Sequence, residues 1–70
     1  MTYYIVNNNR TTNPGLHHEV HTREHANTLR ISDYTELGYF NSGIEAKAAA
    51  KKIYTDADGC KVCCLEAHTG

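Results

Sequence analysis

The chain has 70 residues, among them five histidines and three cysteines, and its formal net charge at pH 7 is −1. This length predicts a single domain, residues 1–70, whose few large apolar side chains stabilise a fold by only about 3–5 kcal/mol. A charge near zero excludes the basic surface that holds a phosphate backbone, so we expect no nucleic-acid partner.

The first residues and the thiols predict the compartment. The opening stretch "MTYYIVNNN" lacks a basic start and a long apolar run, so we expect neither a signal peptide nor a membrane segment. The three cysteines are an odd number and fall within residues 60–64, which is not the pattern of a disulfide framework. The sequence therefore predicts a reduced, cytoplasmic protein.

Three stretches in the first forty residues have the composition of β-strands. Residues 3–6, "YYIV", are aromatic and β-branched, and residues 17–22, "HHEVHT", alternate between two faces. The turn signal "NPG" at residues 13–15 separates these two strands. Residues 36–40, "ELGYF", predict a third strand, and the irregular pattern of residues 23–35 predicts a loop before it.

One helix is expected after the third strand. Ser42 and Glu45 form an S-x-x-E capping box, and the good helix formers "IEAKAAAKKIY" follow. One stripe of this helix carries mostly small side chains: Ala46, Ala49, Ala50 and Ile53. Because alanines fill this stripe, we expect the helix backbone to lie close to the sheet.

The last segment predicts the closing strand of the fold. After the turn "DADG", residues 60–66, "CKVCCLE", would place alternate side chains on the two faces of a strand. The expected fold is α+β, with an antiparallel sheet of three to four strands and one helix on one face, in the order β-β-β-α-β. The other sheet face would be uncovered, and we expect Tyr3, Tyr39 and Ile44 to form a binding surface.

The cysteines and histidines provide a candidate metal site. Cys60-x2-Cys63 is half of a zinc-ribbon knuckle, since two thiolates at this spacing can hold one ion. His68 would supply a third ligand, and His21 or His25 would complete a tetrahedron. The interpretation that the sequence favours is that the cysteines are small buried apolar residues of the closing strand, with the zinc site as the alternative.

Two enzyme patterns are present but lack their context. His21 to His25, "HTREH", matches the H-x-x-E-H metalloprotease pattern, which needs a helix, a distant third ligand and a large cleft. Cys-x-x-Cys redox proteins place this motif at the start of a helix, whereas here it follows one. We therefore expect no catalytic residues and no enzymatic activity.

The chain also resembles known families. "YYIVN", "HEVH", "LGYF", "EAKAAAKK" and "DGCKVCCLEAHTG" together resemble a family of small uncharacterised bacterial proteins with the pattern H-E-V-H, a cysteine, L-G-x-F, A-K-K and G-C-x-x-C-x-x-x-C-H-T. His25 stands near the first cysteine position of that pattern, where a possible metal ligand is kept. Ala67 stands at the last cysteine position, where the ligand is lost.

A second resemblance concerns the fold alone. "LGYFNSGIEAKAAAKKIY" is similar to the third strand and helix of plant ethylene-response-factor DNA-binding domains and phage integrase arm-binding domains. Those domains read DNA with arginines and tryptophans on the sheet, which the predicted strands here do not carry. The resemblance implies three strands and a helix, but no DNA contact.

Together these observations predict a small non-enzymatic binding or interaction module. Its partner would be an unidentified protein or a second copy in a weak homodimer, and we expect no membrane partner. No cofactor is expected, with a zinc ion as the alternative. The alternative functions are a zinc-stabilised nucleic-acid or regulatory module and then a cysteine-based redox or hydrolytic enzyme.

Overall fold

The structure is a computed structural model that describes residues 1–12, 16–60 and 62–67. In chain order its elements are strand β1 (Thr2–Thr12), strand β2 (Leu16–Thr22), helix α1 (Arg23–Thr28), strand β3 (Tyr34–Phe40), helix α2 (Gly43–Ala50), strand β4 (Asp58–Gly59) and a 3₁₀ helix (Leu65–Ala67). The predicted α+β class is confirmed. The expected turn at residues 13–15 lies outside the described residues, and no described helix is long and apolar enough to cross a bilayer.

The four strands form one mixed sheet in the order β3-β1-β2-β4. Strand β1 pairs antiparallel with both β2 and β3, whereas β4 runs parallel to β2. The prediction of a purely antiparallel sheet is therefore wrong. A parallel pair needs a crossover connection, and the segment between β2 and β4, which carries both helices and β3, is long enough to provide one.

The predicted closing strand at residues 60–66 is also wrong, because β4 ends before it. In this segment the amide of Cys64 donates to the carbonyl of Cys60 at 2.8 Å, and the amide of Ala67 donates to the carbonyl of Cys64 at 2.9 Å. These local hydrogen bonds satisfy backbone groups that a strand would direct to a neighbour. The chain therefore forms turns and the 3₁₀ helix beside the sheet.

Helix α1 replaces the first part of the loop predicted for residues 23–35. The Thr22 hydroxyl caps it by accepting a hydrogen bond from the amide of His25 at 3.1 Å, and Glu24 lies in the first turn, where a carboxylate is favourable. Only Ala26 of the helix is buried. A six-residue helix with one buried position has no periodicity to detect, so only its cap marks it in the sequence.

Helix α2 starts where the capping box predicts. The Ser42 hydroxyl accepts from the amide of Glu45 at 3.4 Å. The helix contributes Ala46 and Ala50, both fully buried, to a core cluster with residues of β1 and β2. Ile53 does not belong to this stripe: the helix ends at Ala50, and the Ile53 side chain is exposed.

The second sheet face is covered in part. Tyr4 and Val6 of β1 join the cluster on the α2 side, so strand alternation directs Ile5 to the other side. Ile5 is nevertheless fully buried, and its cross-strand partner His21 is buried as well. Since α1 contacts both β1 and β2, the expectation of a wholly uncovered face is wrong at this position.

We expect Ala50→Leu to lower the free energy of unfolding by about 1–3 kcal/mol, because a close-packed site has no space for a larger side chain. Ala48→Leu is the matched control, since Ala48 lies on the exposed side of the same helix. Urea unfolding of both variants measures the difference. Equal midpoints for the two variants would show that the alanine stripe is not packed against the sheet.

Candidate metal centre

Four side chains converge at one end of β2. They come from β2, the first turn of α1 and the segment after β4: His21, His25, Cys60 and Cys63. Each offers one nitrogen or sulfur atom, and these four atoms all lie within 4.8 Å of one another. The four side chains are therefore close enough to hold a metal ion.

The separations within this cluster suit tetrahedral coordination. The Nδ1 atom of His25 lies 3.7 Å from Sγ of Cys60, and Nδ1 of His21 lies 3.8 Å from Sγ of Cys63. Ion–ligand distances of about 2.3 Å for sulfur and about 2.0 Å for nitrogen place neighbouring S and N atoms about 3.5 Å apart. Small side-chain adjustments would thus bring all four atoms to a common ion.

Local structure explains why these residues meet. The Thr22 cap turns the chain into α1 directly after His21, so that His25 comes back beside the end of β2, with the two imidazole rings 5.5 Å apart. The amide of Cys60 donates to the carbonyl of Val20 at 3.0 Å and continues the parallel register of β4 along β2. This pairing places the Cys60 segment next to both histidines.

Hydrogen bonds and burial set the protonation of the thiols. A hydrogen bond from the Cys64 thiol is the main cause that lowers the pKa of Cys63, and the contact with His21 lowers it further. The same hydrogen bond, together with burial, raises the pKa of Cys64. These shifts favour the thiolate form at Cys63 and the neutral thiol at the buried Cys64, whose sulfur lies 3.8 Å from that of Cys63.

The second sulfur ligand has a different environment. Burial is the largest influence on Cys60 and raises the pKa of its thiol, while backbone amides oppose this rise. One of these amides, that of Val62, donates to the Cys60 sulfur at 3.4 Å. A backbone N–H aimed at this atom stabilises a thiolate there, which is the form that binds a metal.

The centre has a buried side and an accessible side. His21 and Cys60 are buried, whereas His25 and Cys63 are half-buried and line a pocket of about 750 Å³. Tyr3 and residues of α1 also line this pocket. Small molecules can therefore approach the centre from the side of His25 and Cys63.

His18, a further histidine of β2, lies in a polar network separate from the candidate centre. The Nδ1 atom of His18 is 2.6 Å from an Asp56 carboxylate oxygen, and its ring stacks on Tyr54 with centroids 3.8 Å apart. Arg10 Nε donates to the other oxygen of Asp56 at 3.0 Å. The hydrogen bond to His18, followed by that to Arg10, lowers the pKa of Asp56.

The structure brings together four of the five predicted ligand residues. The fifth, His68, lies outside the described residues. Glu24, the acidic residue of the H-x-x-E-H pattern, is exposed, and His21 precedes the helix instead of lying on it. The metalloprotease geometry is therefore absent from the described residues, although both histidines of the pattern take part in the candidate site.

The predicted binding surface is divided between two places. Tyr3 and Tyr39 are cross-strand neighbours in edge-to-face contact, with ring centroids 4.9 Å apart, and Tyr39 is 66% exposed. Ile44 is 56% exposed and belongs to α2. Because α2 covers the face opposite the two tyrosines, Ile44 does not extend their surface.

Two residues near the centre were missed by the sequence analysis. Glu19 lies two positions before His21 on β2, and Cys64 directly follows Cys63. Strand periodicity is the signal that would have found Glu19, because alternate residues share a face. Cys64 had been assigned to a strand that the chain does not form.

No protein-family model, curated protein or solved structure matches this chain. The function is therefore inferred from the geometry of the described residues.

Proposed function

We propose that this protein is a small non-enzymatic binding module whose fold is stabilised by one structural zinc ion. His21, His25, Cys60 and Cys63 would be the four ligands. The observation that carries the proposal is the convergence of two nitrogen and two sulfur atoms, all within 4.8 Å, from three separate segments. An ion bound by these four side chains would link the end of β2, helix α1 and the segment after β4.

The donor set favours zinc. Two thiolates and two imidazoles in a tetrahedral arrangement are the ligands of structural Cys₂His₂ zinc sites. Calcium and magnesium prefer oxygen ligands, and square-planar metals would not accept this arrangement. Four protein ligands also leave no open position for a substrate, so the centre supports a structural role better than a hydrolytic one.

The core also supports a structural ion. Much of the buried cluster consists of small side chains: Ala46, Ala50, Ala57, Cys60, Cys64 and Ala67. Burial of a methyl group contributes far less than burial of a leucine or phenylalanine. A metal ion that joins three segments would supply the stability that this core does not.

The binding role rests on the exposed aromatic side chains. Tyr39, supported by Tyr3, presents a ring to solvent, and tyrosines of this kind are enriched at protein interfaces. Ile44 offers a second apolar contact on α2. The partner would be another protein or a second copy of this chain, in a reducing compartment such as the cytoplasm, where zinc thiolates persist.

Native mass spectrometry of the untagged protein tests both parts of this proposal. We expect one zinc ion per chain, and the same spectrum reports the number of subunits. Cys63→Ser should lose the ion, whereas His17→Asn should keep it, because His17 lies on the strand of His21 but outside the cluster. A metal-free native protein prepared with zinc in the medium would contradict the proposal.

A further inference from the structure

A buried carboxylate lies behind the candidate metal centre. Glu19 and His21 are two residues apart on β2, so their side chains project from the same face. Both are buried, with relative exposures of 6% and 2%. Oε1 of Glu19 lies 3.6 Å from Nε2 of His21. Glu19 thus faces the ring nitrogen of His21 that the metal cluster does not use.

The two nitrogens of the His21 ring have different neighbours. Nδ1 lies 3.8 Å from Sγ of Cys63, while Nε2 is directed to Glu19. A neutral imidazole carries a proton on one nitrogen and a lone pair on the other. A carboxylate beside Nε2 favours the proton there, which leaves the lone pair on Nδ1 for a metal ion.

We propose that Glu19 is a positioning residue of the metal centre: its carboxylate accepts the Nε2–H of His21 and holds Nδ1 toward the ion. This inference rests on the proposed zinc site. A separation of 3.6 Å is longer than the typical N–H···O hydrogen bond of about 2.7–3.2 Å. We expect the contact to shorten when zinc binds, because a cation on Nδ1 makes the Nε2–H a stronger donor.

The other histidine provides an internal comparison. His25 is only half-buried and lines the pocket, and in the described part of the chain the structure gives its ring no carboxylate contact. Glu19 should therefore act on His21 alone. When a carboxylate that orients a metal-binding histidine is removed, the metal affinity of the site falls by about 10- to 100-fold.

Zinc affinity measured by competition with a chromophoric chelator tests the inference. We expect Glu19→Ala to bind zinc about 10- to 100-fold more weakly than the native chain. Glu19→Gln should recover most of this loss, because its amide oxygen still accepts the Nε2–H. Glu36→Ala is the control, since Glu36 is an exposed carboxylate on β3.

A nitrogen-15 spectrum of the imidazole rings separates orientation from a general loss of stability. In the zinc-loaded native protein, the His21 Nε2–H should be protected from exchange with solvent. Glu19→Ala should lose this protection, Glu19→Gln should retain it, and the His25 signals should be unchanged in both variants.

The outcomes distinguish this inference from the proposed function. A native chain that binds no zinc overturns both. A native chain that binds zinc tightly, with Glu19→Ala binding equally well and keeping a protected Nε2–H, overturns only the role of Glu19.

Discussion

Addition of a strong zinc chelator is expected to abolish the folded amide spectrum of this protein. Binding of a structural zinc ion contributes on the order of 10 kcal/mol to folding. A core of this size rarely supplies more than about 3–5 kcal/mol, and a cluster made largely of alanines and cysteines supplies less, so the apo chain should be largely unfolded. The measurement is a proton–nitrogen correlation spectrum before chelation, after it, and after zinc is restored, which should recover the native peaks.

Single-residue variants connect this unfolding to the four ligands. His25→Ala removes one ligand and should unfold the domain at low micromolar zinc, whereas His17→Asn should give a native spectrum under the same conditions. An apo protein with an unchanged spectrum would mean that no structural ion is needed. Cys60 and Cys63 would then be small apolar core residues, as the sequence favours.

The second large effect is expected at a buried ion pair between α2 and β4. Nζ of Lys47 lies 3.0 Å from Oδ1 of Asp58, and both side chains are almost inaccessible, at 13% and 6%. The same Nζ donates to the carbonyl of Ala67 at 3.0 Å. Lys47 therefore joins the helix to the edge strand and to the 3₁₀ helix.

Lys47→Met keeps most of the side-chain stem and removes the charge. We expect it to lower the free energy of unfolding of the zinc-loaded protein by about 3–5 kcal/mol, because the Asp58 carboxylate stays buried without its cation. Denaturant unfolding measures this value. Lys51→Met, at the exposed end of the same helix, is the control and should change stability little.

The double variant Lys47→Met/Asp58→Asn identifies the cause. If stability is lost because the buried Asp58 carboxylate no longer has the Lys47 cation beside it, the change of Asp58 to the neutral Asn should recover part of the free energy of unfolding. The asparagine oxygen can still accept the hydrogen bond from the Gly59 amide, which is 2.9 Å long in the native chain. Additive losses in the double variant would indicate that Lys47 stabilises the fold through its hydrogen bond to the Ala67 carbonyl instead.

Local signals in the sequence determined a large part of this fold. Ser42 and Glu45 lie three residues apart, so their capping interaction is encoded within one turn, and α2 starts where they predict. The strand stretches "YYIV", "HHEVHT" and "ELGYF" all lie within β1, β2 and β3. Residue chemistry and the short spacing of Cys60 and Cys63 were also enough to nominate four ligands that the structure brings together.

Tertiary structure alone decided how these elements and ligands meet. The contacts that form the candidate centre join residues 35 and 42 positions apart, His25 with Cys60 and His21 with Cys63. Their convergence depends on the parallel pairing of β2 with β4, which in turn requires the intervening chain to cross the sheet. Propensities act over a few neighbouring residues. They cannot specify whether the segment after Gly59 continues as a strand or turns to face the histidines.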